Sequence, residues 1–210
     1  ENQSESESEG ESRSDAVRPI VYAGAFLPNS YRFIDALFSQ VAKLRTNGKW
    51  DERIRFHFIG TGMYQYKGID AYATDYGLSD IVIEDRSRHP FLHILNYLGK
   101  ADRVMIIGST EKHYTASKTY QSLLSERPVI AMFHAESSAV SVMEECNADA
   151  LLMKYEEGMS DEEIRTATYD MLLEAVKSEI PWNPDLKKLD KYSALQSAKV
   201  LVEKIEEALS

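Results

Sequence analysis

Ser117-Lys118-Thr119-Tyr120-Gln121-Ser122-Leu123-Leu124-Ser125-Glu126-Arg127-Pro128-Val129-Ile130-Ala131 decides how this chain folds. Its first half reads as a short amphipathic helix, Ser125 to Pro128 as a tight turn, and Val129 onward as a buried strand. A helix that hands over directly to a continuously apolar strand fits a parallel sheet covered on both faces. The start of the helix carries a hydroxyl, Ser117, and an ammonium, Lys118. Backbone N–H groups there are unpaired and lie at the positive end of the helix dipole, so the pair suits a phosphate or pyrophosphate. Such a site implies a nucleotide.

The same alternation extends in both directions. Ile20-Val21-Tyr22-Ala23 is an apolar run ending at Gly24, and Tyr31 to Leu44 then places Phe33, Ile34, Leu37, Phe38, Val41 and Leu44 at helical spacing. Ile54 to Ile59 closes at Gly60-Thr61-Gly62, followed by a weaker helix around Gln65 to Tyr76 and the run Ile81 to Ile83. A helix from about Pro90 to Leu98 precedes Val104 to Ile107, and a helix from Ser138 to Cys146 precedes Ala150 to Met153. The pattern predicts an α/β fold: a doubly wound, Rossmann-like parallel sheet of about six strands with helices on both faces. Asp161 to Lys177 and Ala194 to Leu209 read as C-terminal helices, and packing is their expected role. Residues 1–17, mostly Ser and Glu, read as a disordered acidic tail or linker before a single domain over 18–210.

Composition narrows the function. With 210 residues, 43% of them apolar, the chain can bury one sizeable core. A net charge of −10 argues against nucleic-acid binding and against a general affinity for anionic lipid, so any anion site must be local. The single cysteine, Cys146, rules out a disulfide framework and fits a reducing compartment. No run is long enough for a membrane span, and a cytoplasmic location is expected. His57, His93 and His134 lack the spacing of a metal pair, and no metal is expected. Tyr64, Tyr66, Tyr72 and Tyr76, with Met63 nearby, read as a packing face.

Ligands of an open parallel sheet lie at the carboxyl ends of the strands, where strand order reverses. Four segments converge there: Gly24-Ala25, Gly60-Thr61-Gly62, Asp85-Arg86-Ser87, and the polar loop from Gly108 to Lys118 with Thr110, Glu111 and His113. Each glycine also has a plain reading as a turn, and His113 reads equally as a proton-transfer group or a surface histidine. Lys118 could pair with phosphate or be solvated; the phosphate reading is preferred, because a cation in a first helical turn is otherwise mildly unfavourable. Gln121, one turn on, could reach a ribose hydroxyl.

Ser117-Lys118-Thr119-Tyr120-Gln121 leading into Arg127-Pro128-Val129-Ile130-Ala131 resembles the donor-site helix and strand of glycosyltransferases of GT-B architecture, in particular the retaining family four. Val21 to Gly24, Phe58 to Gly62 and Leu98 to Asp102 fall in the same order, so the likeness runs from about Pro19 to Met153. The resemblance implies the C-terminal Rossmann-like domain of such an enzyme, which binds a nucleoside diphosphate sugar as donor substrate and needs no further cofactor. It also implies a separate N-terminal domain or partner subunit that holds an acceptor glycan or lipid-linked glycan.

By the same resemblance Ser117 and Lys118 lie at the diphosphate, Gln121 at the ribose, and the segment around Arg86 and Ser87 at the base. Glu111 to His113 lie near the donor sugar, with Arg32 as a second cation. This chain departs from the family at Gln121 and His113, where the family usually carries glutamates, and at Ala25 and Ser30, where it carries an Arg and a Lys. The replaced glutamates and the acidic tail support an alternative, a noncatalytic interaction domain that retains the scaffold.

Overall fold

The computed structural model describes residues 16–62, 67–113 and 117–209. Strands β1 (Arg18–Ala23), β2 (Ile54–Ile59), β3 (Val82–Asp85), β4 (Arg103–Ile107), β5 (Val129–His134) and β6 (Leu152–Tyr155) form one sheet in the order β3-β2-β1-β4-β5-β6. Every neighbouring pair is parallel, with Val21 level with His57 on one side and Val104 on the other. This is the doubly wound α/β fold expected from the alternation. Strand β6 begins two residues later than its apolar run, because the Leu152 N–H donates to Asp149 O and closes a turn there.

Helices α1 (Tyr31–Thr46), α2 (Ile69–Asp75) and α6 (Asp161–Ala175) cover one face of the sheet. Helices α3 (Phe91–Lys100), α4 (Lys118–Leu123) and α5 (Ser138–Glu145) cover the other. The first face is the more aromatic: Phe38 of α1 meets Phe56 and Phe58 of β2 edge-on at 6.3 and 6.0 Å, and Trp50 stacks on Phe56. Each such ring removes enough apolar surface from water to contribute roughly 2–3 kcal/mol. Helix α6 returns to this face beside α1. It starts at a capping box in which the Ser160 hydroxyl accepts from the Glu163 N–H and the Glu163 carboxylate accepts from the Ser160 N–H.

Arg18 opens β1, at the edge of the sheet opposite the carboxyl ends of the strands. Its guanidinium donates to Asp51 at 2.6 Å, to Asp102 at 3.2 Å, and to the carbonyls of Val176 and Lys177 just past α6. The buried Arg103 guanidinium joins it, donating to Asp102 and to Lys177 O. Carbonyls at a helix C-terminus lack intrahelical partners, so two cations here both satisfy them and complement the dipole.

Helix α7 (Ala194–Leu209) has the length expected of it but not the packing: none of its residues is buried, and it rests on the Leu186–Tyr192 turn. Its amphipathic spacing is real, but Leu195, Val202, Ile205 and Leu209 on its apolar side are all exposed. The aromatic face expected around residues 63–76 lies partly outside the described residues. Of its described members, Tyr72 stacks on Tyr31 at 5.5 Å.

Candidate functional site

The sheet changes winding direction between β1 and β4, so the loops leaving these two strands must diverge and open a crevice between them. Contacts among the described residues cross it. The Ser30 hydroxyl donates to Gly108 O, the Asn29 amide donates to Glu111 Oε1 at 2.6 Å, and Lys118 reaches back to β1. Ser30 stands at the cap position of α1 but makes no side-chain cap bond.

Lys118 defines the centre of this arrangement. Its Nζ donates to Tyr22 Oη and to Ala25 O, both at 2.8 Å, and lies 4.5 Å from the centre of the Tyr22 ring. Among the described residues no carboxylate pairs with it. Burial pushes the ammonium down to about 8, from 10.5, since its neutral oxygen partners only partly replace lost hydration. An under-compensated cation at the switch point can hold an anion, which restores the missing charge balance.

Gly24 makes room for this side chain. Its φ of +123° lies where L side chains are strained, and a Cβ there would stand 2.5 Å from Lys118 Cε and 2.9 Å from Nζ. Gly24→Ala is therefore expected to cost about 1–3 kcal/mol in stability and to displace the ammonium. Thermal melting checks the first effect, and a UDP titration, with affinity falling at least about tenfold, checks the second. Gly108 serves packing instead: a Cβ there would collide with the Phe133 ring and come within 3.0 Å of Met132 O.

The remaining candidates divide between the two sides of the crevice. On the β1–β3 side, the ladder continues into the loops: Gly24 N–H donates to Ile59 O, Gly60 N–H to Asp85 O, and Gly62 N–H to Arg86 O. Thr61 is buried and donates to Glu84, whose side chain is 2% exposed and which also receives the Asp70 N–H. Arg86 lies 3.5 Å from both Glu84 and Asp70, while the Ser87 N–H donates to the Asp85 carboxylate. Thr61 and Arg86 thus share a network with Glu84 and Asp70 at the ends of β2 and β3, while Ser87 belongs with Asp85 and His89.

On the β4–β5 side, Ser117 is exposed, with no side-chain cap bond; Gln121 and Thr110 are half-buried, and His113 is exposed. The loop is pinned by Lys112, which lies 3.1 Å from Glu136 and 3.2 Å from Glu157. Arg32 sits apart from Lys118. Its guanidinium donates to Asp161 at 2.7 Å, to Tyr155 Oη at 3.1 Å and to Met159 O at 2.6 Å, fastening α1 to the start of α6. Asp161 compensates that charge, which favours Lys118 over Arg32 for anion binding.

Sequence reading did not single out Tyr22, Asn29 or Glu84. Tyr22 hides in an apolar strand, and Glu84 gives no signal separable from a surface carboxylate. Asn29, next to Ser30 before a helix, carries a capping signature but serves the neighbouring loop. Among the described residues, no group of three or more His, Cys, Asp or Glu could hold a metal ion, and no helix is long and apolar enough to cross a membrane.

The fold and site together define a doubly wound α/β domain with a cationic crevice at its switch point. No family model matches the sequence, and no curated protein matches it by sequence. Solved structures do share its fold. Anabaena HepE in complex with UDP and glucose superposes with a TM-score of 0.61 at 16% identity over 92% of this chain and 49% of HepE. A UDP-forming α,α-trehalose-phosphate synthase from Burkholderia vietnamiensis gives 0.64 at 10% identity over 93% and 46%. The pneumococcal O-GlcNAc transferase GtfA, in complex with UDP and GlcNAc, gives 0.58 at 11% identity over 91% and 36%. The chain spans about half the length, or less, of these three structures.

Proposed function

We propose that the chain is the donor-binding half of a GT-B glycosyltransferase, holding a nucleoside diphosphate sugar for transfer to an acceptor glycan or lipid-linked glycan on a separate N-terminal domain or partner subunit. The observation that carries this reading is Lys118, a cation that pairs with no carboxylate among the described residues, at the sheet's switch point. Support comes from its fold, shared with proteins solved with UDP, and from the loops of β1 and β4 that frame the crevice. In the reaction, the bond between the sugar's anomeric carbon and the diphosphate oxygen breaks as the acceptor oxygen bonds to that carbon. The nucleoside diphosphate departs with the electron pair. Lys118 stabilises the charge that develops on it, and Ser117 and the α4 N–H groups supply further donors. Gln121 offers an amide to the ribose, the Arg86 segment borders the base, and Glu111 and His113 face the sugar. A metal is not required in this scheme. The setting is cytoplasmic carbohydrate biosynthesis.

Calorimetry with a panel of nucleotides tests the proposal. UDP or GDP is expected to bind with a Kd between about 1 μM and 1 mM, corresponding to roughly −8 to −4 kcal/mol. Absence of binding to every diphosphate in the panel would remove the reading and favour a noncatalytic interaction domain.

A further inference from the structure

Helix α3 buries only Leu98, although six of its ten residues are apolar. Phe91 is 62% exposed, Leu92 75% and Leu95 37%. At 3.6 residues per turn the apolar side chains form one continuous arc, with Ile94 and Leu98 on its core-facing half and Leu95 and Leu92 on its outer half, while Phe91 is exposed at the start of the helix. The result is an apolar strip on the outer surface, beginning at the crevice edge of the sheet.

Cations frame the strip. From Arg86 to Ala101 the sequence contains no Asp or Glu but carries Arg86, Arg88 and Lys100, in a chain whose net charge is −10. Arg127 adds a further cation at the far end, where its Nε donates to Gly99 O at 3.0 Å. The carboxylates at the two ends of the segment are engaged: Asp85 with His89 at 2.7 Å, and Asp102 with Arg18 and Arg103. Glu126, exposed beside Arg127, is the opposing charge nearest in sequence to that end. Arg86 is held by Glu84 and Asp70, which leaves Arg88, Lys100 and Arg127 as the rim.

We propose that α3 docks the chain peripherally on an anionic lipid surface, with Phe91, Leu92 and Leu95 at the acyl boundary and Arg88, Lys100 and Arg127 over headgroup phosphates. Ten residues make a helix about 15 Å long, too short to span a bilayer but suited to lie in its interface. Charge selects this occupant over a second copy. Twofold pairing through the strip would set each basic rim against its twin, whereas an anionic surface attracts the rim and repels the acidic remainder, orienting the chain. Net charge does not forbid this, because at physiological salt charges beyond about 8 Å are largely screened and the local rim dominates. The inference is independent of the nucleotide reading.

The test is co-sedimentation of the full chain with vesicles of phosphatidylcholine alone and of phosphatidylcholine with phosphatidylglycerol. Binding is expected on the anionic vesicles only, weakening as salt rises. Leu92→Asp and Phe91→Asp should each reduce it about tenfold or more, and Arg88→Ala with Lys100→Ala by a similar factor. These positions are exposed, and Asp is favourable in a first helical turn, so melting temperatures should hold. Three outcomes overturn the proposal. One is no binding to anionic vesicles. Another is binding abolished by Leu201→Asp in α7 but kept by Leu92→Asp. The third is a dimer in light scattering that Leu92→Asp dissociates.

Discussion

Lys118→Met yields a chain that folds more stably at neutral pH and binds UDP about 30- to 100-fold more weakly. The two effects share one cause. Burial lowers the folded-state value of Lys118 to about 8 from its ordinary 10.5, a penalty of roughly 3 kcal/mol at pH 7. Methionine fills similar space over Gly24 without a charge, and forfeits two hydrogen bonds worth about 1 kcal/mol each. A net gain of about 1 kcal/mol is therefore expected. The loss in binding follows from about 2–3 kcal/mol of charge-assisted hydrogen bonding to the diphosphate.

The pH dependence has a definite sign. Between pH 8 and 10.5 the unfolded chain holds a proton on Lys118 that the folded chain has released, so the burial penalty is full below about 8 and gone above about 10.5. Parent stability gains this contribution across that window, and the Met variant does not. UDP affinity runs the other way, level below about pH 7 and falling above 8 as the ammonium deprotonates. Urea unfolding at pH 7 and pH 10, with calorimetry at matching pH, reads both. A Met variant that is less stable and binds UDP normally would remove Lys118 from the site.

Arg18→Ala is expected to carry the largest stability cost, about 2–4 kcal/mol, because it leaves Val176 O without its donor and removes one of two cations from each of Asp51, Asp102 and Lys177 O, which Arg53 and Arg103 then hold alone. For a chain of this size that corresponds to a fall in Tm of roughly 10 °C. UDP affinity should be unchanged, since Arg18 begins the strand whose far end forms the crevice. Differential scanning calorimetry beside a UDP titration separates the two. The same cluster makes acid sensitivity specific. Arg53 first, and Arg18 after it, hold the Asp51 carboxyl well below the usual carboxylate range. Its contribution is present above about pH 4 and is lost as the pH falls further.

The strand and helix order was legible in the sequence because fully buried parallel strands must be continuously apolar, as Ile20 to Ala23 and Val129 to Phe133 are. Helix α1 declared itself through six apolar residues at helical spacing. Helix α7 was legible as a helix but not in its surroundings, since amphipathic spacing records a preference for burial and not whether a partner is present. The candidate site was legible only in outline. Loops ending β1 to β4 could be placed at one edge from their order, and Lys118 could be marked as a candidate anion ligand. Arg32 could be named only as a second cation beside it.

The sequence by itself determined the alternation, the buried faces and the candidate cations, all of which depend on residues near one another in the chain. Only the tertiary structure decided that Arg32 is neutralised by Asp161 while Lys118, 96 residues from Tyr22, lies over the Tyr22 ring with no carboxylate paired to it among the described residues. Charge compensation and desolvation depend on what surrounds a group in space, and that surrounding is assembled from strands the sequence keeps far apart.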